Sequence, residues 1–77
     1  KGIIKVKPKE KVEFKWKTNL NPKEISYAFR GDKYGKEISA DNKNGIISFE
    51  VLIGKAPSFI TFYYKGVAAI SYRLEKK

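Results

Sequence analysis

Apolar and polar side chains alternate with a period of two through most of the chain. The alternation is clearest at residues 11–18, where Phe14 and Trp16 alternate with Lys15 and Lys17. Because successive side chains of a β-strand point to opposite faces, this pattern predicts a strand with its rings in a core and its ammonium groups in water. No long stretch has the three-to-four spacing of an amphipathic helix, so the pattern predicts an all-β fold.

Turn-forming residues divide the chain into short strands. Pro8 interrupts pairing, as it would at a sheet edge or where the chain changes sheets. Asn44-Gly45 is the clearest hairpin signal, because both residue types adopt the positive φ angles that a tight turn requires. We predict six clearly alternating strands and a shorter seventh. In chain order, the seven are residues 2–7, 11–18, 24–30, 36–40, 45–53, 58–65 and 67–74.

Strands of this length and spacing are typical of an antiparallel β-sandwich, and a small SH3-like or OB-like barrel is the alternative architecture. We expect residues 1–77 to form one domain, because the chain has no internal repeat and no linker-like segment. With no cysteine in the chain, the core must supply the stability without a disulfide. No apolar run approaches the roughly 20 residues of a transmembrane helix, so none is expected.

The order of the predicted strands resembles an immunoglobulin-like or fibronectin type III-like module. Three features carry the resemblance: Val12-x-Phe14-x-Trp16, Ile25-x-Tyr27-x-Phe29, and the Tyr63-Tyr64 pair on the penultimate strand. The cysteine pair of true immunoglobulin domains is absent, and the chain is shorter than a typical member. The resemblance implies a noncatalytic spacer or recognition module of a longer secreted or cell-surface protein, whose partner is a protein domain of the same or another chain.

Residues that commonly carry chemistry are scarce. The chain has no histidine and no cysteine, which removes the commonest general base, the thiol nucleophile and the usual zinc ligands. Its 8 carboxylates stand mostly beside lysines or in turns, as solvated surface charges do. Asp32 and Asp41 lie in predicted loops that lack the alternating carboxylates of a calcium site. We therefore expect no catalytic residue, no metal site and no cofactor.

A formal net charge of +9 favours contact with polyanions. Lys5, Lys7, Lys15 and Lys17 occupy odd positions, so we expect them to project from one side of the first two strands, as the phosphate contacts of a nucleic-acid-binding barrel. Proteins that bind single strands combine such charges with stacking rings in one groove, whereas here the rings and the lysines alternate between faces. Lysines also protect sheet edges from aggregation, so nucleic-acid binding remains the alternative hypothesis.

The last two strands predict a hairpin that is apolar on both faces. A two-residue turn at Lys65-Gly66 would pair Tyr64 with Val67, Tyr63 with Ala68, and Phe62 with Ala69. A longer loop is the alternative, because lysine is a poor first residue for a turn that needs positive φ. One predicted face carries Ile60, Phe62, Tyr64, Val67 and Ala69, and the other carries Phe59, Tyr63, Ala68, Ile70, Tyr72 and Leu74.

Only one face of this hairpin can point into the core of a sandwich, and an apolar face left outside is typical of an interface. The alternative is a hairpin covered on both faces by a loop or by a curled sheet edge. The candidate binding residues are Tyr34, Phe59, Tyr63, Tyr72 and Arg73. Tyr34, Tyr63 and Tyr72 are also the candidate platform of a carbohydrate-binding module, because sugars stack on exposed rings.

Overall fold

The computed structural model describes residues 2–54 and 59–77 and is all-β. The strands within these ranges are β1 Gly2–Val6, β2 Lys11–Lys17, β3 Ile25–Phe29, β4 Lys36–Glu37, β5 Asn42–Lys43, β6 Ile46–Leu52, β7 Phe59–Tyr64 and β8 Val67–Lys76. A single turn of 3-10 helix, Pro22–Glu24, precedes β3.

The strands form two sheets, and neither sheet closes into a barrel. Five strands in the order β1-β8-β7-β3-β4 make one sheet, and three in the order β2-β6-β5 make the other. All pairs are antiparallel except β1 with β8, which run parallel. The all-β, two-sheet prediction is confirmed, and the arrangement is that of a sandwich rather than of the alternative barrel.

Most predicted strands are present, but the predicted strand at 36–40 is wrong in extent. Only Lys36–Glu37 pairs, and it pairs with β3. A further short strand, Asn42–Lys43, joins β6 through the predicted Asn44-Gly45 hairpin, whose φ angles are 55° and 80°. Strands of two residues carry too little alternation to be recognised before their partners are known. The predicted break at 54–57 and the start of strand 58–65 fall largely on residues 55–58, outside the described ranges.

The core lies between the two sheets and is built from the inward positions of the alternating strands. Phe14 of β2 stacks on Phe49 of β6, with ring centroids 5.5 Å apart, and meets Phe62 of the opposite sheet edge-on at 5.0 Å. No polar or charged residue is buried in the described part of the chain. The buried core residues are Val6, Phe14, Ile25, Ile47, Phe49, Val51, Ile53, Ile60, Phe62 and Leu74. Removal of apolar surface from water therefore dominates the stability.

Trp16 lies at the margin of this core. Its ring meets Phe49 at 5.1 Å and Phe62 at 4.8 Å, both in edge-on geometry, yet the residue is only partly buried. The outward residues beside it, Lys15 and Lys17, are exposed. The predicted division between inward rings and outward ammonium groups on β2 is confirmed.

The chain changes sheets between β1 and β2, where the sequence places Pro8. The crossing is closed by Glu10, whose Oε1 accepts from the Lys7 backbone N–H at 2.8 Å and whose Oε2 accepts from Lys77 Nζ at 3.3 Å. The Lys7 backbone hydrogen bond, followed by the hydrogen bond from Lys77, lowers the pKa of the Glu10 carboxyl. Lys77 also donates its backbone N–H to the carbonyl of Val6, so this one cluster joins the crossing to the end of β8.

The β7–β8 hairpin begins as predicted and then departs from the predicted register. Tyr64 pairs with Val67 and Tyr63 with Ala68 across a two-residue turn, so the longer-loop alternative is wrong. A bulge follows between Phe62 and Tyr63, and Phe62 pairs with Ile70 instead of Ala69. The extra residue reverses the faces of the rest of β8, because the side-chain period of a strand is two.

The outer apolar face predicted for this hairpin is therefore wrong beyond the bulge. Tyr72 lies opposite the buried Ile60 and turns its ring toward Phe14, at 5.7 Å, and Leu74 belongs to the core. The outer positions carry Thr61, Ser71 and Arg73 instead. A bulge at two alanines leaves no mark in the hydrophobic pattern that would have revealed it.

Trp16→Ala is expected to lower the free energy of unfolding by roughly 3 kcal/mol, at the lower end of the range for large-to-small core changes, because part of the ring already meets solvent. Urea unfolding measures the loss, with Lys17→Ala, on the outward face of the same strand, as the control that should stay within about 0.5 kcal/mol of the parent. A loss below about 1 kcal/mol for Trp16→Ala would place the ring on the surface.

The turn at Lys65-Gly66 predicts a ranking of substitutions. Lys65 has φ 52° and Gly66 φ 80°, and the first of these is costly for a side chain with a Cβ. Lys65→Asn should raise the free energy of unfolding and Lys65→Val should lower it, with a spread on the order of 1–2 kcal/mol. Chemical denaturation of the three proteins measures the order. Equal stability of the Asn and Val variants would contradict the left-handed turn.

The Glu10 cluster predicts a contribution to stability that depends on pH. A carboxyl whose pKa is lowered by folding stabilises the native state above its unfolded pKa and loses this effect as the pH falls through its folded pKa. Glu10→Gln should therefore destabilise the domain at pH 7 and make little difference at pH 2. Denaturation midpoints at the two pH values measure this, with Glu13→Gln on β2 as the control. An equal loss of stability at pH 7 and pH 2 would show that the charge of Glu10 does not cause the effect.

Candidate functional site

The outer face of the five-stranded sheet holds a shallow depression, here called the outer trough. On β3, β7 and β8 it is lined by small and hydroxyl-bearing residues together with Tyr63: Ser26, Ala28, Thr61, Tyr63 and Ser71. Tyr34 and Tyr63 line the same part of this depression, with a volume of about 270 Å³. Phe59 and Tyr63 line the adjoining part.

The loop after β3 forms one wall of the outer trough. Asp32 accepts the Phe29 backbone N–H on Oδ2 at 2.9 Å, which fixes the loop at its start. The Arg30 guanidinium stands over the Phe59 ring, 5.7 Å from its centroid. Tyr34 is 78 % exposed, more than any other large hydrophobic or aromatic residue of the described chain. The wall therefore offers a fully available ring and a cation beside the hydroxyl-bearing residues of the strands.

Arg73 lies on the same outer face as Phe59, its partner across the hairpin. Its Nε is 3.5 Å from Oε2 of Glu75, which itself accepts a salt bridge from Lys5 at 3.2 Å. Of the predicted binding residues, Tyr34, Phe59, Tyr63 and Arg73 thus share one face. Tyr72 does not, because the bulge turns it to the other side.

Tyr72 instead lines an apolar pocket where the two sheets meet, here called the seam pocket. Trp16, Thr18 and Leu20 form its wall on the three-stranded side, and β7 and β8 form the other wall. The remaining lining residues are Ile25, Phe62, Tyr63, Tyr64, Ala69, Ile70 and Tyr72. Its volume is about 230 Å³, and no carboxylate, ammonium or guanidinium group lines it.

The seam pocket borders a part of β8 that pairs with β7 alone in the described chain. Among the described residues, β1 pairs with Tyr72–Lys76, and Gly2 lies opposite Tyr72. Within the described ranges, no strand pairs with Val67–Ile70 on the side away from β7. Val67 is 69 % exposed and Ile70 is 41 % exposed, so this half-edge is both unpaired and apolar.

Asn42 holds the opposite wall of the seam pocket in place. Its side-chain N–H groups donate to the carbonyls of Thr18 at 2.9 Å and Leu20 at 3.1 Å, and its Oδ1 accepts from the Gly45 N–H at 3.0 Å. One amide therefore ties the end of β2 to the Asn44-Gly45 hairpin. The wall that carries Leu20 is fixed by hydrogen bonds as well as by contact.

The predicted lysine surface is divided, so the expectation that these lysines project from one side is wrong. Lys5 is on β1 in the five-stranded sheet and is paired with Glu75, whereas Lys15 and Lys17 are on β2 in the other sheet. The two sheets face each other across the core, so their outer faces point in opposite directions. Lys7 lies in the crossing between them. The sheet to which β1 belongs is set by its pairing with β8, which the alternation within β1 does not record.

The outer face of the three-stranded sheet carries both signs of charge. Glu13 lies directly opposite Glu50 across β2 and β6, and Ser48 Oγ donates to Glu13 Oε2 at 3.3 Å. Lys15 lies opposite Ser48 and Lys17 opposite Ile46. The lysines here do not form a continuous cationic track.

Among residues 2–54 and 59–77, no cluster of three acidic side chains comes together as a metal ion would need. No helix of that part of the chain is long and apolar enough to cross a membrane.

The unpaired half of β8 is the feature that sequence reasoning missed. Val67-Ala68-Ala69-Ile70 stands out as an apolar run in the sequence, but the predicted hairpin pairing assigned its residues alternately to the two faces of the hairpin and did not address the edge of the strand. Recognising it requires knowing that β8 pairs with both β7 and β1 and in which register.

Comparison with known proteins does not assign the chain to a family. No protein-family model matches the chain, and no curated protein and no solved structure matches it significantly.

Proposed function

We propose that the chain is a noncatalytic, immunoglobulin-like β-sandwich module that works by contact with another protein segment. The observation that carries this proposal is the exposed apolar half-edge Val67–Ile70 beside the open seam pocket. Apolar surface of this kind is typical of interaction sites, since soluble domains otherwise keep such patches small.

The strand order supports the immunoglobulin-like part of the proposal. The three-stranded sheet β2-β6-β5 corresponds to strands B-E-D of such a module, and β3-β7-β8 corresponds to C-F-G. The short β4 extends the second sheet beside β3, as in variable-type domains. The chain departs from the constant-type pattern in β1, which pairs with β8 instead of with β2. By the same likeness, we propose a place in a longer secreted or cell-surface protein.

The way the other edges are protected supports the choice of β8 as the contact surface. The edge strand β2 alternates with lysines and a glutamate, and both β4 and β5 are only two residues long. Charges and short strands are the usual means of keeping a sheet edge from pairing with another chain. Val67–Ile70 has neither form of protection, so pairing with another segment is not opposed there; the free edge of β1, whose one charged residue is Lys5, is likewise weakly protected.

Nucleic-acid binding is the weaker alternative on the geometry of the charges. Its candidate contacts Lys5 and Lys15 lie on opposite sides of the sandwich, and the β2 rings point away from the β2 lysines. A single-stranded nucleic acid needs both in one groove. The net charge of +9 still favours weak, salt-sensitive attraction to polyanions.

Carbohydrate binding is a second candidate function, favoured by one observation. Tyr34 and Tyr63 line the same part of the outer trough together with the Ser26 hydroxyl. An exposed ring beside hydroxyl donors is the combination that a sugar face requires. Tyr72 has no part in this candidate, because it lines the seam pocket.

One binding experiment separates these functions. The immobilised domain is exposed to secreted proteins, to a glycan array, and to heparin and duplex DNA over a salt series. The double variant Val67→Thr/Ile70→Thr keeps the charge and the β-propensity of the strand. It should no longer retain the secreted protein that the parent domain retains, and its unfolding curve should match that of the parent. The matched control is Ile3→Thr/Leu52→Thr, which removes two exposed apolar side chains elsewhere and should leave retention unchanged.

The other outcomes identify the alternatives. Glycan binding lost in Tyr34→Ala, with no protein retained, would replace the proposal with the carbohydrate function. Retention on DNA that survives about 200 mM salt and falls in Lys15→Ala/Lys17→Ala would replace it with nucleic-acid binding.

A further inference from the structure

The turn between β5 and β6 consists of the one Asn-Gly sequence of the chain. Asn44 has φ 55° and Gly45 φ 80°, and Lys43 pairs with Ile46 across them, so the turn contains these two residues alone. A tight hairpin turn of this kind requires positive φ at both positions. Asn44 is exposed, whereas Gly45 is only partly exposed and contacts the end of β2 through a backbone hydrogen bond with Thr18.

An asparagine followed by glycine is a reactive pair as well as a turn former. Asparagine is a thermolabile residue, because the backbone nitrogen of the next residue can attack its side-chain carbonyl carbon. Glycine hinders this attack least, since it has no Cβ. The other asparagines of the chain are less reactive: Asn19 precedes leucine, Asn42 precedes lysine, and Asn21 precedes proline, whose nitrogen carries no hydrogen.

The reaction at Asn44 needs no reagent other than water. The Gly45 nitrogen loses its proton to water or hydroxide and forms a bond to Cγ of Asn44. The bond from Cγ to Nδ2 breaks, and Nδ2 takes up a proton and leaves as ammonia. Water then opens the resulting cyclic imide at either of its carbonyl groups, which gives aspartate or isoaspartate. No atom is oxidised or reduced.

The fold holds the attacking nitrogen in its protonated form. The Gly45 N–H donates to Asn42 Oδ1 at 3.0 Å, so the proton that must be removed is engaged in a hydrogen bond. The Asn42 amide is itself fixed, because its Nδ2 donates to the carbonyls of Thr18 at 2.9 Å and Leu20 at 3.1 Å. The next peptide group is held too, since the Gly45 carbonyl accepts the Thr18 backbone N–H at 2.7 Å. Attack therefore requires these bonds to open first.

The side chain of Asn44, in contrast, is exposed to the water and hydroxide that the reaction uses. β5 is only two residues long and lies at the edge of its sheet, so this hairpin can open without disturbing the core. Local opening of this kind costs less free energy than global unfolding. The rate at Asn44 is therefore set by how often the Gly45 N–H separates from Asn42.

The two products affect the turn differently. Aspartate tolerates positive φ as asparagine does, so it keeps the turn and adds a negative charge. Isoaspartate carries the main chain through its side-chain carbon, which inserts an extra backbone atom before Gly45. A two-residue turn has no room for that atom while the strands beside it remain paired. Gly45 therefore cannot keep its hydrogen bonds to both Asn42 and Thr18.

We propose that Asn44 is a deamidation site whose rate is controlled by the side chain of Asn42, and that isoaspartate at this position releases the end of β2 from the β5–β6 hairpin. The change is irreversible and needs no enzyme. The site is independent of the proposed function, because Asn42, Asn44 and Gly45 belong neither to the Val67–Ile70 edge nor to the lining of the seam pocket.

The first test compares the folded and the unfolded chain. Both are incubated at mildly alkaline pH, one in buffer and one in guanidinium chloride, and mass spectrometry of the peptide that contains Asn44 follows the replacement of its amide by a carboxyl group. The native chain should deamidate at least about tenfold more slowly, because opening must come first. Asn19 and Asn21 serve as internal controls that should stay unchanged.

Three variants test the role of Asn42, each checked by its unfolding curve. Asn42→Ala removes the acceptor and should raise the native rate about fivefold, as the loss of one ordinary hydrogen bond permits. Asn42→Asp keeps an oxygen for the Gly45 N–H and should react more slowly than Asn42→Ala. Val12→Ala lowers stability at a partly buried position of β2 away from the turn and should leave the native rate near that of the parent. All variants should react equally fast in guanidinium chloride.

The release of β2 is measured on the isoaspartate fraction, separated from the parent by chromatography. Hydrogen exchange of the Thr18 backbone N–H should become about tenfold faster or more in that fraction. Asn44→Asp, which adds the charge without the extra backbone atom, should keep the protection of the parent.

Each part of the proposal can fail separately. Absence of deamidation at Asn44 even in guanidinium chloride overturns the site. Equal native rates in the parent and Asn42→Ala, or an equal acceleration in Val12→Ala, overturn control by Asn42, the latter because the reaction then proceeds through global unfolding. Unchanged exchange at Thr18 in the isoaspartate fraction overturns the release of β2.

Discussion

Ring contact between the two sheets is the interaction on which the rest of the structure depends. Phe14 and Phe49 from one sheet meet Phe62 from the other at centroid distances of 5.0 to 5.7 Å. A domain of 77 residues without disulfides has little other means of joining two sheets. Because this contact fills the centre, the margins where the sheets separate are left to Trp16 and Tyr72, and the seam pocket opens between them.

The fold and the core followed from local alternation, whereas the site did not. Phe14, Phe49 and Phe62 could be assigned to the interior because a period of two is a property of each strand alone. The pairing of β1 with β8 joins residues about 70 positions apart and leaves no periodic signal. The bulge beside Ala69 likewise leaves no signal in the sequence. It changes the face on which Tyr72 and Leu74 lie, and this depends on the pairing of β7 with β8.

The outer trough, the Val67–Ile70 edge and the lysine surface could be predicted from the sequence to different extents. Tyr34, Phe59, Tyr63 and Arg73 were singled out by residue type, and the structure gathers them on one face. Val67 and Ile70 were visible as apolar residues, but their exposure depends on which strands pair with β8. The lysines illustrate the opposite case, because an obvious spacing in the sequence became two separate surfaces once Pro8 led the chain from one sheet to the other.

The parallel pairing of β1 with β8 also determines how the domain would bear a pull. Gly2 lies beside Tyr72 and Val6 beside Lys76, so the two described ends of the chain leave from opposite ends of the same pair of strands. Tension applied through those ends would shear the hydrogen bonds of that strand pair simultaneously and would not break them one after another. The Glu10–Lys77 ion pair lies near the Val6–Lys76 end of this strand pair, where it would oppose the start of sliding between β1 and β8.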